Sequence, residues 1–323
     1  MAVTITLIIV LSLLCASVAN STPLDTVRTV HEFPKGTFVE NLAVRSNGQM
    51  VVTTLTSPHL FLFNSVQFGP PALIHNFTSA LALSGIAEYA PDTFAVLTGN
   101  FSLASGDVGP GSWAVWSVDL RGVKSQPDKT LYPPPKICKI ADIPEGRFLN
   151  GMSLLSPKDG TLLIGDATAG NIIRLDAKTG NYKVVIDNFF TAAVPQPLPY
   201  PPAGVNGLHV RDGFVFLTNT GRSIFGKIPI NGDGTPAGNG SVIAHTLGPE
   251  DGTKNRTPCS SFTCSKSIPE RNEGSRQQKV LSVGPPAYQR VRREVSPAAG
   301  SQIIVDRFFS YDGKVRIDSS CRA

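Results

Sequence analysis

The sequence predicts an all-β fold assembled from the blades of a β-propeller, and three observations predict it. One hairpin design recurs along the chain. Gly and Pro, 30 and 26 of 323 residues, punctuate the apolar runs. No long stretch shows the 3.6-residue apolar spacing of an amphipathic helix. The hairpin is a short apolar strand, a tight polar turn carrying Gly or Asn, and a second apolar strand. It appears at Glu40-Asn41-Leu42-Ala43-Val44 with Gln49 to Thr53, at Leu149-Asn150-Gly151-Met152-Ser153 with Thr161 to Asp166, and at Val205-Asn206-Gly207-Leu208 with Phe214 to Asn219. A weaker copy joins Ser84-Gly85-Ile86-Ala87 to Phe94-Ala95-Val96-Leu97. A repeated hairpin of this size is the unit of a propeller blade, and the polar residue that opens its first strand faces the central channel.

The elements follow in chain order. Residues 1–19 read as a secretory signal peptide: an apolar run from Ile5 to Leu14, then small residues at Ser17 and Ala19. The run is shorter than the roughly 20 apolar residues that span a bilayer, so a secreted protein is expected rather than a membrane anchor. Thr26 to Phe33 is a strand, of the kind that closes a propeller ring by joining its last blade. After the Glu40 hairpin come His59 to Asn64, the Ser84 hairpin, and the alternating strand Trp113 to Leu120. Trp113 and Trp116 are expected in the core rather than as stacking platforms. The Asn150 hairpin continues into Asn171 to Asp176 and Tyr182 to Ile186, which makes one whole blade. Residues 191–204 hold five prolines and cannot pair inside a sheet, so they form a loop on one face beside the start of the Asn206 hairpin. Ile224 to Ile230 and Ser241 to Thr246 follow. Asp166 and Asn219 end the second strands of their hairpins and are expected toward the face opposite Asn150 and Asn206.

The organisation is thus a signal peptide over 1–19, propeller blades over 20–250, and an atypical basic segment over 251–323 with a partial closing blade. That segment holds 13 Lys/Arg against 7 Asp/Glu, while the rest of the chain holds 16 against 17, so the net charge of +5 belongs to the tail. Clusters such as Arg290-Val291-Arg292-Arg293 suit a solvated basic segment in a secreted protein better than a nucleic-acid surface. The tail is either an extended, disulfide-tied divergence or a reading frame that departs from the spliced transcript. Cys138, Cys259, Cys264 and Cys321 remain once the signal is removed, and at least one disulfide among them is expected in an oxidising compartment. The Asn-x-Ser/Thr motifs at Asn76, Asn100, Asn239 and Asn255 are candidate glycan sites, and that at Asn20 is discounted beside the cleavage point.

The histidines His31, His59, His75, His209 and His245 show no ligand spacing, though His59 is a candidate neighbour of the channel. No Gly-x-Ser-x-Gly elbow, dinucleotide fingerprint or phosphate loop occurs. The candidate catalytic residues are therefore the polar openers of the hairpins, Glu40, Asn150 and Asn206.

These hairpin motifs resemble the SMP-30/gluconolactonase-like six-bladed β-propellers, and more closely a secreted fungal branch of secondary metabolism that includes hetero-Diels–Alderases. The resemblance runs over about residues 26–250. It implies six blades, with the last one incomplete here. For the lactonase members it implies a channel calcium held by Glu40, Asn150, Asn206 and an Asp that opens the following blade. The nearest candidate for that Asp is Asp251-Gly252, which runs into Thr253-Lys254-Asn255 rather than an apolar strand. The resemblance therefore implies first a cyclase without a cofactor, joining a tropolone-type quinone methide to a terpene such as humulene. Asn150, Asn206, Phe189, Phe190 and the Pro-rich loop suit such a pocket. The alternatives are a calcium-dependent lactonase or esterase and a non-catalytic binder of an apolar metabolite. In each case the partner is a small apolar molecule, with no nucleic acid and no membrane, and the protein is a monomer.

Overall fold

The computed structural model describes residues 27–64, 69–245, 307–309 and 314–318. The signal peptide, Asn20, Asn255, Cys259, Cys264, Cys321, Asp251 and most of the basic tail lie outside the described residues. Among those described, every regular element is a β-strand.

Four sheets of four strands carry the architecture. Blade 1 comprises β2 (Val39–Val44), β3 (Met50–Thr54), β4 (His59–Phe63) and β5 (Ala72–Asn76), after β1 (Val27–Glu32). Blade 2 comprises β6 (Ala82–Ala90), β7 (Thr93–Gly99), β8 (Ala114–Asp119) and β11 (Lys136–Asp142). The small hairpin β9 (Lys124–Ser125) and β10 (Leu131–Tyr132) interrupts it. Blade 3 comprises β12 (Leu149–Ser156), β13 (Thr161–Asp166), β14 (Asn171–Asp176) and β15 (Tyr182–Ile186). Blade 4 comprises β16 (Val205–Arg211), β17 (Phe214–Asn219), β18 (Ile224–Pro229) and β19 (Ser241–His245). Each is an antiparallel meander whose first strand is a sheet edge, and the first strands β2, β6, β12 and β16 pack side by side in that order. That is the arrangement of propeller blades about a common axis. Four complete blades are described, against six expected. In addition, β1 pairs antiparallel with β21 (Lys314–Asp318), which pairs with β20 (Arg307–Phe309), so the N-terminal strand does join C-terminal strands in one sheet.

In blades 1, 2 and 3 the second strand is buried on both faces and reads as a near-continuous apolar run, whereas β17 of blade 4 alternates buried and half-buried residues. In β13, Leu162 and Ile164 pack toward blade 2 with Trp113, Val115 and Leu149. Leu163, between them, packs toward blade 4 with Val205, Leu208 and Val215. Blades 1 and 2 meet through Val51, Leu62, Leu83, Phe94 and Val96. Val30 and Phe33, with the His31 ring set against Phe33 and Phe63, cover the other face of blade 1. Both tryptophans belong to this packing, as expected. Trp113 is buried and donates its indole N–H to the carbonyls of Val108 and Arg147, each at 2.9 Å. Trp116 donates to Thr98 Oγ1 at 3.2 Å.

The inner strands approach one another at glycines. A Cβ on Gly85 would stand 2.2 Å from the carbonyl oxygen of Asn150, and one on Gly151 would stand 2.2 Å from that of Asn206. Backbone, unlike a flexible side chain, cannot yield cheaply. Gly151→Ala is therefore expected to force blades 3 and 4 apart at a cost of about 3 kcal/mol, read as a lower urea midpoint with an unchanged slope. A midpoint equal to that of the parent protein contradicts this account of the close approach.

Cys138 lies exposed on β11 and has no disulfide partner among the described residues. Of the candidate glycan sites, Asn76 and Asn239 are exposed and Asn100 is half-buried.

Candidate functional site

The four inner strands share one irregularity. Their pairing with the second strand skips two residues near the start: between Val39 and Leu42, Leu83 and Ile86, Leu149 and Met152, and Val205 and Leu208. The skipped pairs are Glu40-Asn41, Ser84-Gly85, Asn150-Gly151 and Asn206-Gly207. A bulge of this kind takes residues out of the ladder and re-aims their side chains. The hairpin copies seen in the sequence are thus four structurally equivalent bulges, and Glu40, Ser84, Asn150 and Asn206 are their first residues.

The bulge leaves backbone groups that need other partners. Thr53 and Thr218 supply them. The Asn41 N–H donates to Thr53 Oγ1 at 3.0 Å, and the Gly207 N–H donates to Thr218 Oγ1 at 3.1 Å. The Thr53 hydroxyl also reaches the Ser84 carbonyl at 2.7 Å, and Ser84 donates its own hydroxyl to the Leu149 carbonyl at 2.7 Å. Blades 1, 2 and 3 are stitched together at this level by two hydroxyls. Neither residue stands out in the sequence, because a Thr or Ser in a strand carries no motif.

Glu40, Ser84, Asn150 and Asn206 are all buried. The structure brings Glu40 and Asn150 together across the small Ser84: the Asn150 side chain hydrogen-bonds the Glu40 carboxyl. Burial pushes the Glu40 pKa up to about 7, the hydrogen bond from Asn150 opposing that shift only in part. Asn150 Oδ1 is buried and accepts no hydrogen bond among the described residues. A carboxyl that holds its proton up to about pH 7, with a buried amide oxygen on its partner, offers hydrogen-bond donors and acceptors on the acid side of neutrality rather than a fixed charge. Asn206 occupies the same bulge position on the adjacent inner strand of blade 4.

Calcium takes six to eight oxygens, carboxylates foremost. Glu40, Asn150 and Asn206 offer three donor side chains and a single carboxyl whose charged form burial disfavours. No three His, Cys, Asp or Glu side chains gather among the described residues. The described donors fall short of a calcium site.

Asp166 and Asn219 are placed differently from the sequence expectation. Leu149 pairs with Asp166 and Val205 with Asn219, so both lie on the face where the inner strands begin, beside the bulges and not opposite them. The reason is topological: the two strands of a hairpin start and finish at the same end. Both are loop clamps. Asp166 accepts from the backbone N–H groups of Arg147, Phe148, Thr168 and Ala169. Asn219 donates to the carbonyls of Phe190 and Ala192 and accepts from the Arg222 N–H. His59 lies on the third strand of blade 1, paired with Asn76, and is not among the inner-strand residues. His209 is pushed down to about 4, by burial first and by Arg211 second, and is neutral at ordinary pH.

The Pro-rich loop forms a strap across this same face. A Cβ on Gly106 of the β7–β8 loop would stand 2.0 Å from the Pro199 carbonyl oxygen, one on Gly170 2.4 Å from Ala193 N, and one on Gly221 2.2 Å from the Ala203 carbonyl oxygen. The strap therefore touches loops of blades 2, 3 and 4 where only glycine fits. It is further held by Gly204 N–H to Ala167 O at 2.6 Å and Thr168 Oγ1 to Pro202 O at 3.1 Å. Its outer surface is apolar: Phe189, Leu198 and Tyr200 are 56%, 93% and 44% exposed. A separate cleft of about 220 Å³ lies among Ile143, Glu145, Asp166, Asn171, Tyr182 and Lys183, and neither Glu40 nor Asn150 lines it.

No protein-family model matches the chain. It is 27% identical over 237 residues to a Phoma sp. protein named "Putative hetero-Diels-Alderase", a match covering 67% of this chain and 64% of the relative. It is 24% identical over 241 residues to "Putative hetero-Diels-Alderase asR5" of Sarocladium schorii, covering 68% and 57%. The chain thus spans less than two thirds of the length of each of these curated relatives. Among solved structures, it aligns with a calcium-binding regucalcin from Agrobacterium tumefaciens over 90% of this chain and 76% of that one, at 12% identity and a TM-score of 0.48. It also aligns with virginiamycin B lyase from Staphylococcus aureus over 91% and 99%, at 10% identity and a TM-score of 0.45. This all-β chain is thus similar in sequence, at 24–27% identity, to fungal proteins named "Putative hetero-Diels-Alderase".

Proposed function

We propose that this protein is a secreted, monomeric enzyme of secondary metabolism that needs no cofactor and joins a tropolone-type quinone methide to a terpene such as humulene. The naming of its relatives supports the reaction class. The observation that carries the reading to this chain is the buried Glu40 carboxyl, hydrogen-bonded by Asn150 and pushed up to about 7. In a hetero-Diels–Alder step the quinone methide contributes O=C–C=CH₂ and the terpene one C=C bond. Two σ bonds form, at the carbonyl oxygen and at the terminal carbon, and no proton or electron is gained or lost. The protein's work is then to hold two apolar partners in near-attack geometry and to stabilise charge growing on the carbonyl oxygen. A neutral carboxylic acid does the second, as buried protonated acids do elsewhere. Asn150 and Asn206 orient that oxygen as amide donors, and the apolar strap gives the terpene a surface.

A calcium-dependent lactonase is the second reading, and one observation favours it: the buried Asn150 Oδ1 is an acceptor of the kind that faces a cation. It requires oxygens from beyond the described residues. The experiment that separates the readings is turnover with excess chelator. The cyclase reading expects quinone methide and humulene to combine at an undiminished rate with EDTA present, and expects no lactone hydrolysis. Lactone hydrolysis that EDTA abolishes and calcium restores replaces it with the lactonase. Tight humulene binding with no turnover of any kind replaces it with the carrier.

A further inference from the structure

We propose that Arg222, lying over the Phe189 ring, is the binding residue for the oxygen-bearing edge of a planar conjugated ring with vicinal oxygens, of the tropolonate class. This assignment rests on the cyclase reading for its ligand class. The Arg222 guanidinium stands 4.3 Å from the Phe189 ring centroid. The pair is built on a fixed base. The Arg222 N–H is held by Asn219 Oδ1 at 3.0 Å, and the neighbouring Gly221 is pressed against the strap. Phe189 meets Phe190 edge-on, with centroids 5.5 Å apart. The Phe190 ring in turn fills the space beside Gly226 and Gly240, where a Cβ would come within 3.0 Å and 2.5 Å of it.

The guanidinium is otherwise uncommitted. Arg45, Arg121 and Arg211 each meet a carboxylate, whereas Arg174 and Arg222 each carry a buried Nε without an acceptor among the described residues, and of these two only Arg222 lies over an aromatic ring. Among the described residues, Arg222 makes no ion pair and its side chain no hydrogen bond; its Nε is buried without an acceptor. A guanidinium stacked on an aromatic ring keeps its forked N–H groups in a plane, ready for two oxygens at once. A ring that carries a carbonyl beside an enolate presents that pair of oxygens at matching spacing. The exposed parts of Phe189, Leu198 and Tyr200 on the same strap offer apolar surface for the rest of such a molecule. Neither an isolated phosphate nor a hydrocarbon uses both features.

The test is equilibrium binding of tropolone, at a pH where it is the anion, and of humulene, to the full-length protein and to Arg222→Ala and Arg222→Lys. The expected result is at least a tenfold loss of tropolonate affinity in Arg222→Ala, partial recovery in Arg222→Lys, and humulene affinity unchanged in both. Equal tropolonate affinity in the parent protein and Arg222→Ala, or no tropolonate binding by the parent protein, overturns the assignment. Cyclisation measured alongside keeps the two ideas apart. If it persists while Arg222→Ala binds tropolonate like the parent, only the Arg222 site fails. If the parent protein does not cyclise at all, the cyclase reading fails, whatever the binding shows.

Discussion

Glu40→Gln is expected to make the protein more stable above pH 7 and less active. Unfolded, Glu40 releases its proton near its ordinary value of 4.5; folded, it holds it to about 7. Between those values the folded state carries a proton that the unfolded state has lost, so stability falls as pH rises, and the loss is complete above about pH 7. The difference corresponds to about 3 kcal/mol. Gln is nearly isosteric and cannot ionise. The variant should recover most of that energy at pH 8, match the parent protein near pH 4, and lose this part of the pH slope. Urea midpoints at the two pH values measure it. A group that costs the fold this much at neutral pH is retained for something other than stability, which is the usual relation between strained sites and function. Activity should fall about tenfold, because an amide N–H is a weaker donor than a carboxylic acid toward a developing oxyanion. A variant of equal stability at pH 8 shows that Glu40 is solvated or paired as the anion.

The second large effect lies on the other face of the blades, at Arg45. Its side chain is 4% exposed and grips both oxygens of Asp92, at 2.8 and 2.6 Å. It also donates to the carbonyls of Leu120 at 2.8 Å and Val123 at 3.2 Å, and to Gln49 Oε1 at 2.6 Å. One guanidinium thus ties the β2–β3 turn of blade 1 to the β6–β7 turn and the segment after β8 in blade 2. Arg45→Ala takes both guanidinium donors from Asp92, whose side chain is 21% exposed, leaves the Val123 carbonyl without this donor, and leaves the Leu120 carbonyl only the Val123 N–H, at a cost of about 2 kcal/mol. Arg45→Met combined with Asp92→Asn removes both charges and keeps the volume, and should recover at least half of the loss. A single-variant cost below about 1 kcal/mol, as for an exposed pair, contradicts the account.

The two faces were unequally legible in the sequence. Strands with one dry and one half-dry face announced themselves, and Asn171–Asp176 and Tyr182–Ile186 fall where the alternation put them. The outer strands β5 and β11 did not. In β11, Lys136 to Asp142 is largely solvated, so it shows little apolar pattern and, following Pro133-Pro134-Pro135, reads as loop. Glu40, Asn150 and Asn206 were visible because the bulge needs a polar residue followed by a small or turn-tolerant one. Ser84-Gly85 showed only as the weaker copy of the hairpin, and nothing in the sequence marks the Ser84 hydroxyl bond to the next blade. Asp166 and Asn219 lie beside the bulges, against the sequence expectation, because the two strands of a hairpin start and finish at the same end. Arg222 had no motif at all; its partner is a ring on a strap whose course sequence periodicity does not encode. Arg45 likewise gave no sign, because its partners outside its own turn come from two distant segments.

The most direct measurement is the pH dependence of cycloadduct formation from quinone methide and humulene by the full-length protein, with the buffer reaction subtracted and the product resolved on a chiral column. The account predicts one enriched stereoisomer, formed fastest below pH 7 and slowing as pH rises through about 7, where Glu40 loses its proton. A racemic product at the buffer rate, or an enzymatic rate that is flat or rising through pH 7, contradicts it.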